Sequence, residues 1–409
     1  MEPKIRLKGF SGEWKTSVIE EVATFSKGRG YSKSDLRPEG NPIILYGRLY
    51  TNYSSVIDSV DTFASLQNGS VLSKGNEVII PGSGETPEDI AVASAVEQKG
   101  VILGGDLNVV TFNQEKIVPA FAAMSITNSK THYELSGYAQ GKTVVHLHNS
   151  SISKGHLSYP SIEEQNAIVS YVSSIDSLIQ STTKKIESLK QVKAASLQSM
   201  FPKEGETTPR VRFKGFEGDW EKVSLKKYAK RINRKNKNME STLALTISSI
   251  EGLVSQIDYF NNLVVGANLA NYYLLKNGEF AYNKSYSRGY PFGSVKRLDR
   301  YDQGILSTLY IVFSVNDEIS SDYLARFFDT TLWHKPVAER AEEGARNHGL
   351  LNIGADDFMT IDIVVPTSRN EQQQIADFFT NLDSQITLQT QRLEKLKQIK
   401  SACLDNMFV

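Results

Sequence analysis

Two stretches of the chain, residues 162–201 and 367–408, place apolar residues three and four positions apart without one glycine or proline. Val172, Ile175, Ile179, Ile186 and Leu189 fall on one stripe of the first, and Phe379, Leu382, Ile386, Leu393 and Leu396 on one stripe of the second. A stripe repeating about every 3.5 residues is the seam of a coiled coil. Each stretch is therefore predicted to be a helix of about 40 residues, roughly 60 Å long. Pro160 stops what precedes the first, and Ser161-Ile-Glu-Glu164 and Ser368-Arg-Asn-Glu371 fit capping boxes at the two starts. A helix of this length outruns a domain of about 150 residues. Mutual packing of the two, as an antiparallel pair, is preferred over two separate amphipathic helices.

The second helix repeats the first. Residues 371–408 match residues 164–201 at 16 of 38 positions, an offset of 207. A shorter match relates residues 3–15 to residues 209–221, identical at 7 of 13 positions at an offset of 206. Solenoid repeats have periods of roughly 20–50 residues, so this is a duplicated domain-plus-helix unit and not a solenoid. Between the matched blocks, residues 16–158 and 222–364 share little.

Short apolar runs in those divergent parts predict strands at 77–80, 101–103, 107–112, 306–313 and 360–365, and short helices at 118–127, 322–330 and 334–343. The fold class is α+β: two mixed α/β domains joined by two long helices that form an antiparallel coiled coil, a pseudo-twofold tandem repeat. The boundaries read as a first globular domain at 1–159, the first long helix at 160–202, a linker at 203–209, a second globular domain at 210–365 and the second long helix at 366–409.

Composition narrows the function. The 409 residues carry 46 Lys+Arg against 46 Asp+Glu, which excludes a uniformly basic coat but not a local basic patch. Cys403 is the single cysteine, so neither an internal disulfide nor a multi-cysteine zinc site is expected. No apolar run approaches the roughly 18 residues of a membrane span. The N-terminus lacks a secretory h-region. A soluble cytoplasmic protein is the expectation.

Local charge points to nucleic acid. Residues 222–239 hold eight basic side chains, among them Lys230, Arg231 and Arg234, and no acidic one. Residues 280–301 interleave bases with aromatics, including Phe280, Tyr282, Lys284, Tyr286, Arg288, Tyr290, Lys296 and Arg297. Lys and Arg neutralise phosphates, and aromatic rings and guanidinium planes stack beside bases. The first half has a weaker patch at Lys27, Arg29, Tyr31, Lys33 and Arg37, followed by Arg48. A solvated charged surface is the plain alternative for each segment.

Catalytic signals fail on inspection. The stretch 137–143 has three residues between its glycines where a phosphate loop needs four. His146 and His148 can share a strand face, but no acidic or thiol cluster accompanies them. Ser83 sits in half of a nucleophile elbow. His348 suits a polar reader or a loop hydrogen-bonder. No catalytic residue, metal ligand or cofactor-binding residue is assigned.

Two dissimilar domains, each followed by a repeated long helix, resemble the specificity subunit of type I restriction-modification enzymes. The resemblance is carried by Lys8-Gly-Phe-x-Gly-x-Trp14 and Lys214-Gly-Phe-x-Gly-x-Trp220, by the helix starts at 160–165 and 366–372, and by the helix ends at 189–193 and 396–400. Residues 281–286 and 344–350 look like parts of one class of target-recognition domain. The resemblance implies double-stranded DNA as ligand, with each domain reading one half of a bipartite site. It implies two methyltransferase subunits docked on the helices and two motor-nuclease subunits beyond them. S-adenosylmethionine, ATP and magnesium would belong to those partners, so the chain by itself would be non-catalytic. Arg288 or Arg346 is expected to read guanine and Asn347 adenine; Arg29, Tyr31, Arg48, Ser83 and Glu85 are the candidates of the first domain. A coiled-coil adaptor without DNA, a stand-alone operator-binding regulator and an enzyme with an unrecognised site are the competing readings.

Overall fold

The computed structural model describes residues 2–260, 269–287, 289–341 and 351–409. The chain forms two compact units, Met1–Thr183 with Gln391–Val409, and Lys184–Thr390. The long helices run Ile162–Ser199 and Arg369–Met407, so each contributes to both units.

Both units are closed by the same two-stranded clasp. In the first, Lys15–Val18 pairs antiparallel with His156–Tyr159. In the second, Glu221–Ser224 pairs antiparallel with Asp362–Val365. The clasp brings the start and the end of each globular part together, immediately before its helix. The repeated Trp follows from this. Trp14 is buried edge-on against Phe121, and Phe121 in turn packs on Phe408. Trp220 is buried edge-on against Phe201 and Tyr323. The Met-Phe at the end of each long helix, Met407-Phe408 in the first unit and Met200-Phe201 in the second, is thus core and not tail.

The remaining repeated residues make a second closure. Arg6 donates from Nε and Nη2 to the two carboxylate oxygens of Glu164 at 2.8 and 2.7 Å, and from its other donors to the carbonyls of Gly12 and Ser11. Arg212 does the same to Glu371 at 2.6 and 2.8 Å and to the carbonyls of Gly218 and Glu217. Both capping boxes therefore form by halves. Ser161 and Ser368 accept from the N–H of Glu164 and Glu371 at 3.4 Å, but each buried glutamate carboxylate is taken up by its arginine. A fork-to-fork charged pair outweighs the neutral bond that the capping box offered.

The divergent parts differ in sheet order. The first unit holds a five-stranded sheet in the order Ala23–Lys27, Leu107–Phe112, Glu77–Pro81, Ser94–Val96, Val56–Ile57, and a four-stranded one in the order Ile102–Leu103, Asn41–Ile44, Phe63–Ala64, Leu36–Arg37. The second unit holds a four-stranded sheet, Ala229–Arg231, Ile311–Val315, Phe280–Asn283, Ser294–Arg297, with separate antiparallel pairs Leu245–Ser248/Gly252–Ser255 and Tyr273–Lys276/Gln303–Leu306. The strands predicted at 77–80 and 107–112 sit at the centre of the first unit's larger sheet. The single strand expected at 306–313 is two strands. The chain turns at residues 307–310, where the Ser307 hydroxyl accepts from the Leu309 N–H at 3.3 Å and Leu309 is left 64% exposed. A serine turn inside an apolar run interrupts a strand without interrupting its hydrophobicity.

Candidate nucleic-acid interface

In the first unit the basic stretch lies where the strand Ala23–Lys27 leaves its sheet. Gly28 N–H donates to the Leu107 carbonyl and Arg29 N–H to the Leu103 carbonyl, so Lys27 and Arg29 are held on an ordered edge and are exposed. Any side chain at Gly28 would meet the Gly104 carbonyl, which explains a glycine between two basic residues. Tyr31 has a left-handed backbone, φ 60°. Its hydroxyl accepts from Gln67 N–H at 2.8 Å and bonds Ser70 Oγ, stapling the loop 65–70. Lys33 is exposed in the short helical turn Lys33–Asp35. Arg48 is half-buried and bonds Asp61 at 2.8 Å, which holds that carboxyl below its ordinary value.

Ser83 lies on the short strand Ser83–Gly84, paired with Val145–His146, and Glu85 is exposed just beyond it. Ser83 Oγ is 2.9 Å from His146 Nδ1. The His146 and His148 rings stand parallel, 6.2 Å apart. The strand spacing of two does put both imidazoles on one face. Among the described residues no group of three or more His, Cys, Asp or Glu that could hold a metal ion comes together.

The second unit changes the reading of its basic run. Lys222 faces Asp362 at 3.4 Å, Lys227 faces Glu221 at 3.2 Å, Arg231 faces Asp356 at 3.8 Å, and Arg234 meets Glu279 at 2.5 Å. Lys235 lies over the Tyr273 ring at 3.9 Å. Lys226, Lys230 and Lys237 are exposed and form no ion pair with a described carboxylate. The run has no acid in sequence, yet the fold brings carboxylates to four of its eight bases.

The second segment changes more. Phe280 and Tyr282 are fully buried, stacked on Phe313 and Phe358, and so are core residues where base-stacking was expected. Lys296 is paired with Asp329 at 2.8 Å, and Arg297 with Asp299 and Asp322. The rest of the predicted stretch is the connection between Phe280–Asn283 and Ser294–Arg297. Lys284 donates to the Ile353 carbonyl at 3.2 Å, Tyr286 is 58% exposed and Tyr290 is half-buried. Gly293 is required at the base of this loop, since its φ is 77° and a Cβ would collide with the Asn283 carbonyl. Arg288, Arg346, Asn347 and His348 lie outside the described residues.

Of the predicted seam residues, Val172, Ile175 and Ile179 pack in the apolar core of the first unit, and Leu189, Phe379, Leu382 and Ile386 in that of the second. Val172, Ile175, Ile186, Leu189, Phe379 and Leu382 are buried, and Ile179, Ile386, Leu393 and Leu396 half-buried. Within the first unit Lys400 Nζ is 2.5 Å from Asp176; within the second, Lys193 Nζ is 2.6 Å from Asp383. These ion pairs were not foreseen. Their signal was present in the duplication, since Asp176/Asp383 and Lys193/Lys400 are identities of the helix repeat.

The sequence profile of the type I restriction modification DNA specificity domain matches residues 11–191 and again residues 217–398. The chain belongs to this family. Its function is DNA sequence specificity in a type I restriction-modification system, with two tandem specificity domains of mixed α/β content.

Two solved structures agree in fold. A type I restriction-modification S subunit from M. genitalium is 15% identical, with a TM-score of 0.60 over 100% of this chain and 99% of that one. A chain from a structure on complex assembly and conformational transition of the type I R-M system is 13% identical, with a TM-score of 0.50 over 97% of both. The HsdS subunit from Thermoanaerobacter tengcongensis is 14% identical, with a TM-score of 0.48 over 97% and 96%. No curated protein matches the sequence. Among the described residues no helix is long and apolar enough to cross a membrane.

Proposed function

We propose that each globular part of this specificity subunit reads one half of a bipartite, asymmetric site on double-stranded DNA. In this reading the two long helices pair antiparallel and set the distance between the half-sites, and two methyltransferase subunits dock on the frame. Two motor-nuclease subunits join for restriction. S-adenosylmethionine, ATP and magnesium belong to those partners, and this chain is the non-catalytic reader. The observation that carries the reading is a contrast within the chain. Clasp, arginine–glutamate pair, tryptophan and helix are duplicated, whereas the sheets between them differ in strand number and order. One frame holding two different surfaces suits two different half-sites. The ion pairs Asp176–Lys400 and Lys193–Asp383 support the antiparallel pairing, because the later residue of each helix meets the earlier residue of the other.

The deciding experiment exchanges residues 222–358 for the corresponding part of another specificity subunit and maps methylated sites in a host carrying the methyltransferase. One half-site is expected to change and the other to persist. A change in both would show that the readers are not segregated.

Phosphate contacts position a protein on DNA and base contacts specify the sequence. We assign positioning to Lys27, Lys33 and Lys230, which are exposed, and base reading to Arg288, Arg346 and Asn347, with Arg29, Ser83 and Glu85 in the first domain. Lys230→Ala is expected to weaken binding to all sequences alike and to lower the salt slope by about one. Arg234→Ala, which removes a partner from Glu279, is expected to lower stability and leave that slope unchanged. Equal salt slopes for wild type and Lys230→Ala would remove Lys230 from the phosphate contacts.

A further inference from the structure

In the second unit the two most exposed large apolar side chains, among the described residues, are Ile250 at 86% and Leu309 at 64%. Both sit on turns at the same end of one sheet. In the sheet Ala229–Arg231, Ile311–Val315, Phe280–Asn283, Ser294–Arg297, Ala229 pairs with Val315 at the end next to the clasp, one short helical turn after Glu221–Ser224. The opposite end holds Tyr282 against Ile311 and Asn283 against Ser294. The turn 307–310 enters the sheet there, just before Ile311. The turn 249–251 joins Leu245–Ser248 to Gly252–Ser255 and is tied to the same end by Ser249, whose hydroxyl donates to Ser294 Oγ at 3.1 Å. Thr246 Oγ1 lies 3.4 Å from the Tyr310 hydroxyl and links the two turns.

The shape of each turn is set without Ile250 or Leu309 side chains. Glu251 N–H donates to Ser248 Oγ at 3.1 Å, and Gly252 supplies a φ of 86°. Ser307 Oγ accepts from the Leu309 N–H at 3.3 Å. The strand Leu245–Ser248 is buried throughout, so the hairpin offers solvent its tip. Turns favour Gly, Pro, Asn, Asp and Ser, each for a backbone reason. A β-branched isoleucine at a tip has none. One exposed apolar side chain needs no explanation, but two on interlocked turns at the end of the sheet remote from the clasp make a surface.

We infer that Ile250 and Leu309 read thymine in the half-site of the second unit, packing on its 5-methyl group in the major groove. The inference rests on the function proposed above and names two specificity-determining residues and the group they recognise. Among the base edges of the major groove the thymine methyl is the apolar feature, and apolar side chains are what recognise it. The hydroxyls around them suit the same surface, because Ser and Thr bond either kind of base edge; Ser249 and Ser307 are half-buried and Thr308 is exposed. A protein partner is the poorer fit, since a standard interface covers about 800 Å² on each side around an apolar centre, and two single side chains on serine-bearing turns do not supply one.

The test uses this chain in complex with the methyltransferase subunit of its host, once methylome mapping has given the two half-sites. Each thymine of the second half-site is replaced in turn by uracil, which removes the methyl and keeps every hydrogen-bonding group, and affinity is read by fluorescence anisotropy. With wild type, uracil at one thymine or more is expected to weaken binding about fourfold, the worth of one buried methyl. The double variant Ile250→Ser with Leu309→Ser is expected to bind the thymine duplex more weakly and to show no uracil penalty there, with its melting temperature and its response to uracil in the first half-site unchanged. Ile250→Val with Leu309→Ile is expected to keep the penalty. A second half-site without an A·T pair overturns the inference, as does a wild type indifferent to uracil or a serine variant that retains the full penalty. It is equally overturned if the serine variant loses the methyltransferase and keeps its uracil response, because the turns then serve a protein. All of these leave the proposed function standing; that reading falls separately, if exchange of residues 222–358 leaves the second half-site unchanged.

Discussion

Glu371→Ala is expected to lower the stability of the second unit by about 3–5 kcal/mol, the range for breaking a buried ion pair from one side. Glu371 is fully buried, and both of its oxygens accept from Arg212, which also ties the carbonyls of Glu217 and Gly218. Its removal leaves a guanidinium with little solvent around it, and frees the loop that leads to Trp220. Glu371→Gln keeps the shape and one acceptor, and is expected to cost less. Glu164→Ala repeats the experiment in the first unit, through Arg6. Urea unfolding followed by tryptophan fluorescence reads both, with Trp14 and Trp220 as reporters in their own units. A Glu371→Ala chain with a wild-type unfolding midpoint would show that the arginine is satisfied by water, and that the pair is not what holds the helix start.

Four residues inserted within 194–198 are expected to lengthen the spacer of the recognised site by one or two base pairs while both half-sites persist. Four residues add about 6 Å of helix and turn it by about 400°, so the buried stripe nearly keeps its side. DNA rises about 3.4 Å per base pair on each strand, which sets the conversion. Two residues turn the stripe by about 200°, put Leu189 and its neighbours out of register with Met200 and Phe201, and are expected to abolish methylation. Methylome mapping of the two strains separates the cases. Original spacing in an active four-residue variant would mean that DNA bending, which costs only a few kcal/mol, absorbs the change and that helix length is not the ruler.

The parts of this protein that were legible in its sequence are those whose physics is local or duplicated. Helices at Ile162–Ser199 and Arg369–Met407 follow from side-chain spacing within one or two turns, and no distant residue was needed to place them. The repeat announced that Arg6, Trp14 and Glu164 matter, without saying that two of them touch. What Arg6 does depends on Glu164, 158 residues away, and chain order carries no record of that approach.

Charge and aromaticity were the least legible, for the same reason. A run of eight bases looks like a field, but the field is set by every charge within a Debye length of about 8–10 Å, whatever its position in the chain. Only the fold brings Glu279 to Arg234 and Asp362 to Lys222. Phe280 and Tyr282 alternate with other residues much as a stacking platform would, and became core because the strand Phe280–Asn283 is flanked on both sides and covered by Phe328 and Phe358. The sequence by itself determined the duplicated frame, through periodicity and repetition. Only the tertiary structure decided which charges and rings stay available to a ligand, because availability is what is left after long-range contacts are made.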